Sequence, residues 1–285
     1  MKVSREAHAK INLFLSVGDR RPDGFHDILS VMHAVSLSDT VTLDIVRSSD
    51  PAISLVTDGD VPDGPSNLAW RACEAFLRKT GIDGYRIAIR LEKRIPVAGG
   101  LAGGSTDAAA ALVLLNGFFG DVLPLPELLN LGGSIGSDVP FCILGGTVLA
   151  RGRGEKLTPV SISEKYHFLI ANGGAPVPTA EAYRALDAAA DGKSAADLFP
   201  DPLIRALKDG APIDEYLFNS FEEVILPSHP EASRAHELIR ASGGTPLLSG
   251  SGPSVFGVFD DLTVRSEAKK QLEKENYLVF ECESV

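Results

Sequence analysis

The chain has 285 residues, 44% of them apolar, and a formal net charge of −11. That length supports one large or two modest domains with real cores, while the acidic balance excludes a nucleic-acid-binding surface and a polybasic anchor for anionic lipid. The longest apolar stretch, Phe141 to Ala150, is broken by Gly145 and Gly146 and is too short to span a bilayer, and the charged start (Lys2, Arg5, Glu6, Lys10) is no signal peptide, so a soluble, cytoplasmic protein without membrane contacts is expected.

From Ala7 to Leu15 the residues alternate, with Ala7, Ala9, Ile11, Leu13 and Leu15 on one face and His8, Lys10, Asn12 and Phe14 on the other. This predicts a strand with one buried side, from whose other face Lys10 and Asn12 project together; taken alone, that face fits a solvated surface as well. A loop is expected from Gly18 to Val31, carrying Arg20, Arg21, a D-G turn, Phe25 and His26. Alternation then gives strands over Thr40 to Ile45 and Ile53 to Thr57. A helix follows, capped by Ser66 or Asn67, with Ala69, Ala72, Cys73, Phe76 and Leu77 as its apolar stripe and Gly81 as its end. Tyr85 to Leu91 alternates again. The widely spaced Cys73, Cys142 and Cys282 lack C-x-x-C spacing and read as buried or idle thiols.

The next stretch, P-V-A-G-G-L-A-G-G-S-T-D-A-A-A-A from Pro96 to Ala111, is the most informative in the chain. Gly99, Gly100, Gly103 and Gly104 are free to take positive φ and let a ligand approach bare backbone, and Ala108 to Leu115 are strong helix formers. With Ser105 or Thr106 placed to cap, the helix start is a phosphate site, although close packing of a Gly/Ala helix would also use such residues. Neither common nucleotide fingerprint is present. The only G-K-S, Gly192 to Ser194, has Asp187 where the first glycine of a P-loop belongs, and no G-x-G-x-x-G occurs.

Further on, a helix is expected near Pro126 to Leu131, then Asp138 between small residues and a proline, followed by a strand over Phe141 to Leu144. Thr147 to Pro159, with a turn at Arg151, closes a first domain of mixed α/β character over residues 1–160. Residues 161–285 read as strand (Tyr166 to Ala171), helix (Ala180 to Ala190), further helices to about Leu226, helix (Glu231 to Ala241), a strand pair, helix (Leu262 to Glu275) and strand (Tyr277 to Cys282). That order predicts a ferredoxin-like antiparallel sheet backed by helices, and an α+β protein of two domains.

The glycine segment resembles the second motif of the GHMP small-molecule kinases, P-x-x-G-G-L-[AG]-G-G-S-[ST]-[DN]-A-A, with Ala98 where many members have glycine, which implies a less extreme backbone there. The resemblance implies that Pro96, Val97, Ala98, Gly99, Gly100, Leu101, Ala102, Gly103, Gly104, Ser105 and Thr106 wrap the triphosphate of ATP, with magnesium expected and no ligand set assigned to it. Lys10, Arg20 and Arg21 are the local cations available to offset the acidic field. L-L-S-G-S-G-P-S-V-F-G (Leu247 to Gly257) is similar to the third motif, a hairpin that narrows the family's site.

The opening A-K-I-N-L-F-L, with R-R-x-D-G-F-H after it, is similar to the branch whose acceptor is 4-diphosphocytidyl-2-C-methyl-D-erythritol, in the non-mevalonate route to isoprenoids. Sugar and mevalonate kinases lack it. I-G-S-D-V-P-F resembles the branch's segment whose aspartate acts in catalysis, so Asp138 is implied as proton acceptor and Lys10 as its organising cation. Asn12, Phe25 and His26, with Thr179 and Tyr183 of P-V-P-T-A-E-A-Y, are implied as substrate-binding residues. N-S-F-E (Asn219 to Glu222) departs from the usual N-D-L-E, and Gly173 and Gly174 replace P-G. A homoserine or mevalonate acceptor, or a silent nucleotide-binding protein, are the alternative readings.

Overall fold

The computed structural model describes residues 1–189 and 199–285. Gly192 to Ser194 and the last residue of the helix expected to end at Ala190 lie outside them. The chain packs as two units, one of Met1–Ala9, Ser38–Val97 and Ala102–Gly145, the other of Lys10–Leu37, Ala98–Leu101 and Gly146–Val285. Two long strands, β1 (Lys2–Arg20) and β2 (His26–Arg47), contribute to both.

In the first unit the later part of β2 pairs antiparallel with β4 (Tyr85–Glu92), and β3 (Ala52–Thr57) pairs parallel with the far edge of β4. Val41, Leu43 and Ile45 stand opposite Leu91, Ile89 and Ile87 and are buried, while the residues between them are mostly exposed. Period-two alternation thus puts one face of this sheet under α1 (Leu68–Thr80) and α2 (Gly103–Phe118). The expected start and stop of α1 are both found: Asn67 Oδ1 accepts the Ala69 N–H at 2.8 Å, and Gly81 ends the helix at φ 70°.

Helix α3 (Leu125–Ile135) runs one turn longer than expected, and α4 (Val139–Leu144) stands where a strand was predicted. The correction has a local cause. Pro140 sits at the start of α4, the Cys142 N–H bonds the Asp138 carbonyl at 3.0 Å, and Gly145 stops the turn at φ 69°. A Cβ on Gly132 would stand 2.9 Å from Ile143 and 3.0 Å from Val139, so glycine lets α3 lie close against α4.

In the second unit β1 and β2 continue as a hairpin whose turn is only Arg21–Phe25, closed by Arg21 N–H to Phe25 O at 2.7 Å. The loop expected over residues 18–31 is therefore mostly strand. From Ala9 to Val17 every residue of β1 is buried, so both faces are covered where one was expected. The strands β5 (Thr147–Gly152) and β6 (Lys156–Val160) form a hairpin around the turn expected at Arg151, with β5 beside β2.

The remaining sheet has the order β11 (Leu278–Glu283), β7 (His167–Asn172), β10 (Val255–Phe259), β9 (Thr245–Leu248), antiparallel throughout. This is the ferredoxin-like arrangement predicted. Helices α8 (Pro230–Ala241) and α9 (Leu262–Lys274) cover one face, around Leu169, Ala171, Val255 and Phe259. A Cβ at Gly257 would collide with Ile239 of α8, which explains that glycine. The other face carries Phe168 and Phe256, against which the buried His33 ring packs at 5.4 Å from Phe168. Between β7 and α8 lie α5 (Thr179–Ala189), α6 (Asp201–Asp209), the short β8 (Phe218–Asn219) and α7 (Glu222–Ile225). Burial pushes the thiols of Cys73 and Cys282 up to about 12, as idle groups require.

Candidate functional site

The glycine segment turns on three left-handed residues: Ala98 (φ 53°), Gly100 (φ 76°) and Ala102 (φ 60°). The expected milder backbone at Ala98 is not found, and Gly100 alone of the segment's four glycines takes positive φ. Non-glycine residues there cost about 1–3 kcal/mol each and concentrate where a ligand is clamped. Gly100 cannot be replaced cheaply, since a Cβ would collide with the Ser249 carbonyl.

Helix α2 begins at Gly103 with Ala102 in the capping position and no side-chain cap. Ser105 and Thr106 are not caps: Thr106 Oγ1 donates to the His8 carbonyl at 2.8 Å. The first intrahelical bond is Thr106 N–H to Ala102 O at 2.9 Å, so the N–H groups of Gly103, Gly104 and Ser105 have no helical acceptor. Uncapped N–H groups on a positive helix end suit an anion better than the expected cap would.

In the second unit Lys10 and Asn12 are 5% and 4% exposed. Lys10 Nζ donates to Asn12 Oδ1 at 2.7 Å, Asn12 Nδ2 to Ser30 Oγ at 2.8 Å, and Ser30 Oγ to the Phe14 carbonyl at 2.8 Å. This relay fixes the lysine and gives its charge a neutral partner, so the buried ammonium favours an incoming anion. The hairpin loop between β9 and β10 closes on it, for a Cβ at Gly250 would lie 3.3 Å from Lys10 Nζ. That loop also holds the glycine segment: Ser249 Oγ donates to Gly100 O at 3.1 Å and Ser254 N–H to Gly99 O at 3.3 Å.

Sequence reasoning missed Asn219, whose amide donates to Leu248 O at 2.7 Å and Gly250 O at 2.9 Å and so sets the hairpin loop's path. The only sign of it was the N-S-F-E segment, read there for its departures. Ser251 Oγ and Thr179 Oγ1 lie 3.3 Å apart.

Of the aromatic residues expected to bind substrate, His26 and Tyr183 are brought together, their rings stacked 5.0 Å apart, with Phe221 edge-on to Tyr183 at 5.0 Å. His26 Nδ1 lies 2.9 Å from the Gly18 carbonyl and Nε2 lies 3.3 Å from Asp187 Oδ1. Phe25 instead is 55% exposed, with the Arg153 guanidinium 4.9 Å above its ring. Arg21 is already paired with Asp23 and Asp27, and the Asp27 hydrogen bond, with Asp23 beside it, raises its pKa. It is thus no free cation for a ligand.

Asp138 belongs to the first unit, half-buried at the start of α4, and its side chain makes no capping bond. A Cβ on Gly136, in the same segment, would stand 3.6 Å from Ser105 Oγ, so the Asp138 turn runs beside the start of α2. Among the described residues no group of three His, Cys, Asp or Glu is placed to hold a metal ion.

Family models for the GHMP kinases N terminal domain and the GHMP kinases C terminal match residues 67–146 and 203–278. A 4-diphosphocytidyl-2-C-methyl-D-erythritol kinase of Geobacillus kaustophilus (strain HTA426) is 42% identical over 264 residues, covering 91% of this chain and 89% of its own. The crystal structure of a 4-(cytidine 5'-diphospho)-2C-methyl-D-erythritol kinase superposes with a TM-score of 0.84 at 32% identity, covering 99% of this chain and all of that one. A homoserine kinase from Cytophaga hutchinsonii shares the fold alone, at a TM-score of 0.70 and 20% identity over 97% of this chain and 94% of its own.

Proposed function

The chain belongs to the GHMP kinase family, and from that premise we propose that it transfers the γ-phosphoryl of ATP to a hydroxyl of 4-diphosphocytidyl-2-C-methyl-D-erythritol, giving the 2-phosphate, in the non-mevalonate route to isoprenoids. The observation that carries this reading is the 42% identity to a kinase of that name along 91% of the chain, twice the identity to the homoserine kinase.

The uncapped start of α2 and the three left-handed turns support binding of the triphosphate along Pro96 to Thr106. Magnesium is expected to arrive with the nucleotide. Held with the phosphates, it would neutralise charge on the transferring group. Lys10, desolvated and fixed by Asn12, is the cation assigned to the transferring phosphoryl. Asp138, whose carboxylate makes no capping bond, is assigned the proton of the attacking hydroxyl. His26, Tyr183 and the exposed Phe25 are assigned to the cytosine, and Asn12 and Thr179 to polar groups of the substrate.

The test is a phosphoryl-transfer assay with the cytidyl substrate beside homoserine and mevalonate. ADP should be released with the first alone. Turnover of homoserine or mevalonate at a comparable rate would overturn the assignment, and ADP release with none of them would leave a nucleotide-binding protein.

A further inference from the structure

The first unit buries three charged side chains that the scheme above does not use. Asp39 Oδ1 accepts the N–H groups of Arg94 at 2.5 Å and Ile95 at 2.9 Å, and its Oδ2 accepts from Lys93. The same ammonium donates to Asp107 Oδ2 at 2.6 Å. Asp107 lies in α2 four residues past Gly103 and is 2% exposed, and its Oδ1 is buried with no partner. A Cβ at Gly103 would stand 3.6 Å from Lys93 Nζ, so this cluster lies against the first turn of the helix.

Two carboxylates share one ammonium, which leaves a buried negative charge over. It falls on Asp107, because Asp39 has two backbone donors besides Lys93 while Asp107 has an orphan oxygen. Burial raises the Asp107 pKa to about 7, with Lys93 opposing and Asp39 adding to the rise. The lysine is held charged in turn: burial works against it, but Asp107 and Asp39 raise its pKa. Helices α1, α3 and α4 share an apolar core with Ala108 to Leu112 of α2, to which they bring Cys73, Leu128, Ile135, Val139 and Ile143. Asp58 accepts the backbone N–H of Lys93 at 2.8 Å, and β1 brings His8, whose carbonyl holds Thr106 and whose Nδ1 is buried without a partner.

We infer that Asp107 is a positioning residue for the nucleotide: its carboxylate draws a proton from solvent, in part at neutral pH and at most one per site, when the triphosphate binds at the start of α2. The inference rests on the reading of that helix start as the phosphate site. An anion arriving within one turn of the carboxylate disfavours its ionised form, and protonation removes an unbalanced negative charge behind the helix end. The positive end of the dipole then faces the phosphates without a competing anion at its back. No bond changes other than the new O–H.

The test is calorimetry of ATP binding at pH 7.5 in buffers of low and high ionisation heat, for the wild type and Asp107→Asn. Asparagine keeps an acceptor for Lys93 but cannot titrate, and the titration of ATP itself cancels between the two proteins. The wild type should take up a fraction of a proton more than the variant. Its affinity should also fall more steeply from pH 6 to 9, by about tenfold for each unit that bound ATP adds to the carboxyl pKa. Equal proton uptake in the two proteins overturns the inference. Should Asp107→Asn fail to fold, the carboxyl carbon of Asp107 followed by NMR in labelled wild type must show a higher titration midpoint with ATP than without, and an unmoved midpoint overturns it. Gly103→Val separates the two claims: loss of ATP binding in that variant, with an Asp107 midpoint that ATP leaves unmoved in the wild type, sinks this inference alone, and unchanged ATP affinity in the variant sinks the phosphate site beneath it.

Discussion

At the scale of single residues, the His26 ring shows how much of a site one side chain reveals. The Gly18 carbonyl only accepts, so Nδ1 donates to it, while Nε2 lies 3.3 Å from Asp187 Oδ1. Asp187 thus stands beside the ring on which Tyr183 stacks. Stacking on an aromatic is worth roughly 1–3 kcal/mol per base, so Tyr183→Ala should raise the KM for the cytidyl substrate about 5- to 150-fold and spare that for ATP. Asp187→Asn should move KM in the same direction by less, and steady-state kinetics with both substrates checks this; equal losses for both would mean that the second unit had collapsed instead. For the chemistry, Asp138→Asn should lower kcat by about 10² to 10⁴ with little change in KM, and Lys10→Ala should lower kcat too. If the two act as one unit, the double variant is little worse than the poorer single one; simple multiplication of the losses would show that they act independently. Sequence made His26 legible because a turn and a motif flank it. Asp187 was noticed only as the residue that spoils a P-loop, since no local pattern shows a partner 161 positions away.

Among the elements, those with strong local signals were read correctly: α1 by its cap, its stripe and Gly81, and β4 by strict alternation. The misreadings share a cause. Short apolar runs do not distinguish strand from helix, so α4 was resolved only by its packing on α3 through Gly132. Likewise, nothing local told that β1 would be covered on both sides, or that Ala98 would be forced to φ 53°. This is testable, because the glycines of the segment and of the helix it leads into are not equivalent. Gly100 has both positive φ and the Ser249 carbonyl where a Cβ would go, whereas Gly117 in the last turn of α2 has nothing within 4 Å and no positive φ. Gly100→Ala should therefore weaken ATP binding and lower the melting temperature. Gly117→Ala should leave binding alone and stabilise the protein by up to about 1 kcal/mol through helix propensity. Thermal melts and ATP titrations of the two variants check it; similar behaviour in both would mean that backbone conformation does not govern this segment.

For the whole molecule, each unit carries a buried group that titrates at or below about pH 7 and whose ionisation is opposed by burial, and the two act in opposite senses on stability. His33, fully buried in the second unit between Thr147 Oγ1 at 2.7 Å and Ser284 Oγ at 2.9 Å, has its pKa lowered to about 4 by desolvation. Above pH 6.5 it is neutral in both folded and unfolded chains. As pH falls from 6.5 toward 4 the unfolded chain takes up a proton that the folded one refuses, so stability is lost in that window, by about 3 kcal/mol in all. Asp107 of the first unit, raised to about 7, works the other way. Below its ordinary value it is protonated in both states. As pH rises through the acid range the unfolded chain releases the proton that the folded one keeps, so stability is lost toward pH 7, by an amount of the same order. In the wild type the two slopes oppose each other between pH 4 and 6.5. Removing either group should expose the other: urea unfolding of His33→Gln should give a stability that falls, relative to wild type, as pH rises across that window, and Asp107→Asn one that rises. Any pH-independent cost of lost hydrogen bonds shifts a difference curve without tilting it, so the slope is the readout. A flat difference curve for either variant would show that the group titrates alike in the folded and unfolded chains, and that its burial is relieved by water or by movement of its neighbours.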